Sequence, residues 1–367
     1  MRRLGEAGKA AAMLTGLILA SAIFALSLRS AFWNELQNSY RTSFSWSPGS
    51  HFGRAIGTLR EDRGDACVIL GNSAAREALD PVRLTAESQG RGFVNAGTTG
   101  GNNLVFELQA RLLETHHVRP RCMILAMNSW NMFSGGRPAI AADDYLALLR
   151  WRDLAALSYR PLSSREGAGL AAGLALPLKS QGKQLNRMLR HNIWQWRASM
   201  GYREPLARYA YFPGELDPAE TYLYSGKPDI LAKQWTELAE RNRPYQNGAL
   251  YGGAEERRSL EATLDIMARI SPENIVVILP QSAILESASR ISDPAFNEAL
   301  AKNRSRIRLI DCSAVNRPEY LYDEGHLNER GRAVLSDVLA RALKGQDGPC
   351  VEVGSAKPTA TGSHLHS

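Results

Sequence analysis

The sequence predicts an α/β protein with a doubly wound, mostly parallel sheet of five strands, and three features carry that expectation. Segments that read as strands recur at residues 67–71, 92–95, 122–127, 274–279 and 306–311. Between and after them lie segments with apolar residues at helical spacing, at 104–113, 254–270 and 328–343. The runs at 67–70 and 122–127 carry no charge, as expected of strands covered on both faces by helices. Strand and helix in alternation imply right-handed crossovers, and hence parallel neighbours.

The chain opens with a different kind of element. Residues 11–28, from Ala11 to Leu28, are uncharged and largely apolar. As a helix they would reach roughly 27 Å, enough to cross most of a hydrocarbon core. Arg2, Arg3 and Lys9 precede them, so the positive-inside rule puts the N-terminus in the cytoplasm and the rest of the chain outside it. A cleaved signal peptide is the rival, with Ala20-Ser21-Ala22 as its cleavage motif, but that motif falls in the middle of the apolar stretch. Residues 1–30 therefore read as a cytoplasmic stub and an uncleaved transmembrane anchor.

The first strand, Cys67-Val68-Ile69-Leu70, runs into Gly71-Asn72-Ser73, a strand-to-helix turn that would expose the serine hydroxyl. The second ends in Asn95-Ala96-Gly97-Thr98-Thr99-Gly100, before the helix at 104–113. The third ends in Ala126-Met127-Asn128. Residues 131–253 are too long for one crossover and read as an insertion or cap. Its second half is aromatic, with Trp194, Trp196, Tyr202, Tyr209, Tyr211, Phe212, Tyr222 and Tyr224. Most of these would form the cap's own core, leaving one or two for a substrate. The helix at 254–270 stops at Ser271-Pro272, directly before the fourth strand. The main domain spans 31–346, and a polar tail, 347–367, comes after it.

Near the end, Asp323-Glu324-Gly325-His326 precedes the last helix, on which Val334, Leu335, Val338, Leu339 and Leu343 share helical spacing. A serine hydroxyl is a weak nucleophile at neutral pH; it needs a base within hydrogen-bond reach and a group to orient that base. His326 and Asp323, three residues apart, can supply both to Ser73. Taken singly, each motif has a plainer reading. Gly-Asn-Ser is a common turn, the Asn-Ala-Gly loop can be flexible and end in a helix cap, and Asp-x-x-His can be a surface cap. The order of all four blocks, each at the carboxyl end of a strand or before the last helix, favours the catalytic reading.

That order resembles the SGNH hydrolases, the GDSL esterase and lipase superfamily. The resemblance implies a flavodoxin-like strand order with ligands at the carboxyl ends of the strands, Ser73 as nucleophile, and Asp323 and His326 completing the triad. It also implies an oxyanion hole from the Ser73 amide, Gly97 and Asn128. Two positions depart from the family's pattern: Asn72 stands where an Asp is usual, and Ala126 where the third block has Gly. Anchored members that act on envelope polysaccharides point to a serine esterase or O-acyltransferase working on an acylated glycan or other acyl ester. Such an enzyme would sit in the bacterial inner membrane with its catalytic domain in the periplasm, where envelope-assembly proteins are potential partners. Two other readings are a non-catalytic glycan-binding or assembly factor and a membrane-surface lipase with the Ala/Gly/Leu-rich segment 167–178 as lid.

Composition narrows the field. The formal charge of +7 falls to about +4 once Arg2, Arg3, Lys9, Arg29 and Glu6 are set aside, so nucleic acid is not implied. No Cys/His cluster has metal-ligand spacing and no motif calls for a cofactor; His116-His117 end a helix, and His364 and His366 lie in the polar tail. Of the four cysteines, Cys312 and Cys350 make the better disulfide in an oxidising compartment. Cys67 and Cys122, each six residues before a site residue, are neighbours if their strands are adjacent; a disulfide across adjacent parallel strands would be strained, and two buried thiols are at least as good a reading.

Overall fold

The computed structural model of this chain describes residues 6–28, 48–62, 64–88, 91–98, 103–128, 148, 152–153, 254–281, 294–321 and 325–353. In chain order these form α1 (Glu6–Leu28), α2 (Pro48–Glu61), β1 (Cys67–Gly71), α3 (Ser73–Ala78), α4 (Pro81–Glu87), β2 (Phe93–Asn95), α5 (Asn103–Thr115) and β3 (Cys122–Met127). Next come α6 (Ala254–Ile270), β4 (Glu273–Ile278), α7 (Pro294–Lys302), β5 (Arg308–Asp311), α8 (Glu329–Leu343) and β6 (Val351–Glu352). The aromatic residues of the insertion, from Trp194 to Tyr224, lie outside the described residues.

The strands form one sheet in the order β2-β1-β3-β4-β5-β6. The first five pair in parallel and β6 joins β5 antiparallel, with Ile310 opposite Glu352 and Asp311 opposite Val351. The sheet thus has six strands, not the five expected. A two-residue strand has no periodicity to read, and β6 directly follows Cys350, which is bonded to Cys312 just past the end of β5. It lies within the stretch read as a tail.

Pleating divides the core in two. On one face Val68, Leu70, Met123, Leu125 and Val276 pack under α2, α5, α6 and α7, with Phe52, Phe106 and Leu264 among their partners. On the other, Ile69, Ile124, Ala126, Ile275 and Val277 pack under α3, α4 and α8, with Leu84, Leu335 and Leu339. Alternate residues of one strand feed opposite cores, which is why every residue of β1 and β3 is buried.

Cys67 and Cys122 are register partners with Cα atoms 4.5 Å apart, and they form a disulfide. The alternative of two buried thiols is thereby set aside, because direct register brings the backbones within the span a disulfide bridges. From the insertion, Asp153 is buried and accepts from Thr115 Oγ1 at 2.5 Å, at the end of α5.

The six large apolar side chains described on α1, Met13, Leu14, Leu17, Ile18, Leu19 and Ile23, are 55% to 78% exposed. Among the described residues, no helix is long and apolar enough to cross a membrane.

Candidate active site

The serine is delivered by a turn whose geometry is written in three adjacent residues. Gly71 ends β1 with φ at 153°. A Cβ there would collide with the Ala75 side chain and come within 2.6 Å of the Ala126 carbonyl oxygen, so only glycine lets the strand turn this sharply beside β3. Asn72 is the N-cap of α3: its side-chain oxygen accepts from the amides of Ala74 at 2.9 Å and Ala75 at 3.4 Å. Ser73 is then the first helical residue, and it is half-buried.

His326 comes from the other end of the chain. It lies between Leu321 and Leu327, which form an isolated antiparallel bridge, and just before Asn328, the N-cap of α8. The Asn328 side chain donates to the carbonyls of Glu319 at 2.8 Å and Leu321 at 3.4 Å, and accepts from Gly331 N at 2.9 Å. These bonds tie the histidine loop to the helix behind it. Ser73 Oγ and His326 Nε2 lie 2.8 Å apart, across 253 positions of sequence. When the neutral ring carries its proton on Nδ1, Nε2 accepts from the hydroxyl, which is the arrangement a general base requires. Asp323 lies outside the described residues.

The three expected oxyanion donors fare differently. The Ser73 amide is the first of α3 and belongs to the N-terminal amides that a helix does not bond internally. Asn128 is 5% exposed and directly follows β3. Since Gly71 is the register partner of Ala126, Ser73 and Asn128 each stand two residues past the same pair. The Gly97 amide, by contrast, donates to Asn95 Oδ1 at 3.0 Å, so a side chain already engages it. What Gly97 plainly supplies is room: a Cβ there would stand 2.8 Å from Arg76 N and 3.1 Å from Asn72 O, the backbone that carries Ser73.

Sequence reasoning passed over the side chain of Asn95, although the residue was in plain view at the end of a strand. Its Nδ2 group, with two hydrogens shared among them, lies within hydrogen-bond distance of three carbonyls of the serine helix and its terminus, those of Ala75, Arg76 and Leu79. Nothing in the spacing marks this role, because the partners lie on another element. Gln109 on α5 steadies the same loop, donating to Thr98 Oγ1 at 3.0 Å.

In comparisons with known proteins, no family model matches this sequence and no curated protein matches it. Among the described residues no group of three or more His, Cys, Asp or Glu side chains could hold a metal ion. What the arrangement offers chemically is a half-buried serine hydroxyl, a base 2.8 Å from it, and the first amide of α3 at the carboxyl edge of the sheet.

Proposed function

We propose that this chain is a membrane-anchored, extracytoplasmic serine esterase or O-acyltransferase of the SGNH type, acting on acyl esters of a cell-envelope or exported polysaccharide. The contact of 2.8 Å between Ser73 Oγ and His326 Nε2 carries the reading. The parallel strands run 2-1-3-4-5, the flavodoxin-like order, and Ser73 and Asn128 flank the switch point between β1 and β3, where such sheets take their ligands. The glycan substrate rests on the resemblance to anchored envelope enzymes.

In this mechanism Ser73 Oγ attacks the ester carbonyl carbon while its proton passes to His326 Nε2. The carbonyl oxygen becomes an oxyanion, held by the Ser73 amide and the Asn128 side chain. Collapse breaks the bond to the alcohol, which leaves with the proton from His326 and an acyl group on Ser73. Water or a sugar hydroxyl, deprotonated by His326, then attacks the acyl-serine, releasing the acid or a new ester and restoring the hydroxyl. Asp323 takes the orienting role at Nδ1, as the resemblance implies.

The test is covalent labelling of the purified protein with a fluorophosphonate, alongside turnover of p-nitrophenyl acetate. Ser73→Ala should abolish labelling, and Ser73→Ala and His326→Ala should each lower turnover about 10⁴-fold or more with the fold intact. Near wild-type turnover in either variant would sink the site. A folded wild type inert to both reagents would leave the non-catalytic glycan-binding factor standing. Asn128→Ala should lower turnover roughly 100- to 1000-fold with little change in melting temperature; unchanged turnover would remove Asn128 from the oxyanion site.

Anchorage is supported by α1, whose exposed apolar side chains lie on all sides of the helix and not along one stripe, as in a helix surrounded by lipid. A reporter active only outside the cytoplasm, fused after Leu28, should be active, and the full-length protein should stay in the membrane fraction at unprocessed mass. Release of a shortened soluble protein would identify a signal peptide instead.

A further inference from the structure

The helix that carries Ser73 has six residues, far below the dozen or so at which a helix begins to hold itself in water. Its shape must therefore come from its ends. Asn72 satisfies the amides at the first end. At the other, the carbonyls of Ala75, Arg76 and Leu79 converge on one distant donor, Asn95 Nδ2, at 3.3, 3.2 and 2.8 Å. The same side chain accepts from the Gly97 amide through Oδ1 at 3.0 Å. Its backbone is pinned as well, since Asn95 is the register partner of Ile69 and its carbonyl accepts from His51 Nε2 of α2 at 2.9 Å.

We infer that Asn95 is a positioning residue that locks the Ser73 helix and the Gly97 loop into one rigid unit, so that the nucleophile and the wall beside it keep a fixed separation. The inference rests on the esterase reading for its catalytic consequence, and on geometry alone for the lock. A Cβ on Gly97 would stand 2.8 Å from Arg76 N and 3.1 Å from Asn72 O, so the loop leaves no room for a side chain against the helix. Helix and loop therefore press together, with the Asn95 side chain bonding both. An isosteric apolar residue would fill the space while removing every side-chain bond, leaving the Ala75 carbonyl only its bond from the Leu79 amide and the carbonyls of Arg76 and Leu79 without the Asn95 donor. Shifts approaching 1 Å at a reacting atom lower rates by about 100-fold.

Asn95→Leu removes both halves of the lock, and Asn95→Asp keeps the acceptor for Gly97 while losing the donor. Hydrogen exchange should quicken at residues 73–79 and 95–98 in Asn95→Leu, and at 73–79 alone in Asn95→Asp, with β1 and β3 still protected in both. Per Ser73 titrated by fluorophosphonate, Asn95→Leu should lower kcat about 30- to 100-fold with KM within about threefold of wild type. If Asn95→Leu does not fold, the selective loosening in Asn95→Asp decides the matter. Unchanged exchange in both segments, or exchange that quickens evenly across the sheet while kcat per titrated serine stays at the wild-type value, would overturn the inference. A wild type inert to the phosphonate and to p-nitrophenyl acetate would count against the esterase reading only, because the exchange pattern reports the lock without any turnover.

Discussion

Ser73 and His326 meet across 2.8 Å, but the two sides of that contact are held in place by different physics. The serine side is steric at its turn, with the Asn95 side chain adding hydrogen bonds to α3 from β2. Gly71 and Gly97 bring backbone against backbone at distances no side chain would permit, and Asn72 caps a helix that starts one residue later. The histidine side is polar and hooked. Asn328 gathers the loop through the carbonyls of Glu319 and Leu321, and its own amide donates to Tyr320 O at 2.9 Å. The guanidinium groups of Arg317 and Arg330 lie 5.9 and 5.6 Å from the centre of the Tyr320 ring. The two sides are joined at Asp80: its carboxylate accepts from Arg332 of α8 at 2.9 Å, and its amide donates to Ser336 Oγ at 2.9 Å. A steric device tolerates no enlargement, whereas a polar hook gives way bond by bond.

The largest effect that tests this contrast should come from Gly71→Ala. The new methyl would meet the Ala75 side chain and the Ala126 carbonyl at a backbone angle that alanine rarely adopts. We expect about 3 kcal/mol lost in denaturant unfolding, together with loss of phosphonate labelling. A variant with unchanged stability would show that the serine turn is not steric at all.

Gly331→Ala comes next, and there local and tertiary rules pull in opposite directions. Within α8, alanine should be favoured over glycine by about 1 kcal/mol. A Cβ at this position, however, would overlap the Tyr320 carbonyl oxygen and stand 2.8 Å from Tyr320 Cβ. We expect packing to win by about 1–2 kcal/mol net, read as a lower melting temperature, with turnover reduced as the His326 loop moves. A raised melting temperature would show that the histidine side can yield space that the serine side cannot.

The smallest effects distinguish the two caps. Asn72→Ala and Asn328→Ala should each lower stability by about 1 kcal/mol. They should differ in breadth: Asn328 also holds Glu319 and Leu321, so its loss should quicken hydrogen exchange across residues 318–321, while loss of Asn72 should act at the start of α3 alone. Equal, narrow effects from both would erase the distinction between hook and cap.

Much of this was legible in the sequence. The runs Cys67-Val68-Ile69-Leu70 and Cys122 to Met127 read as strands buried on both faces, and the strands lie within about two residues of the expected spans. Ser73 after the first strand and His326 before the last helix were candidates for the same reason, since their places come from local turn and cap signals. What only the tertiary structure decided involves two distant segments at once. The register of β1 on β3 bonds Cys67 to Cys122, and Cys350, directly before β6, returns to Cys312. Close approach of β2 to α3 lets the Asn95 side chain cap a helix from another strand. Hydrophobic period and turn chemistry are properties of neighbours along the chain, and a sequence carries them in full. A hydrogen bond or disulfide between segments depends on distances that come into being only when the two cores close around the sheet.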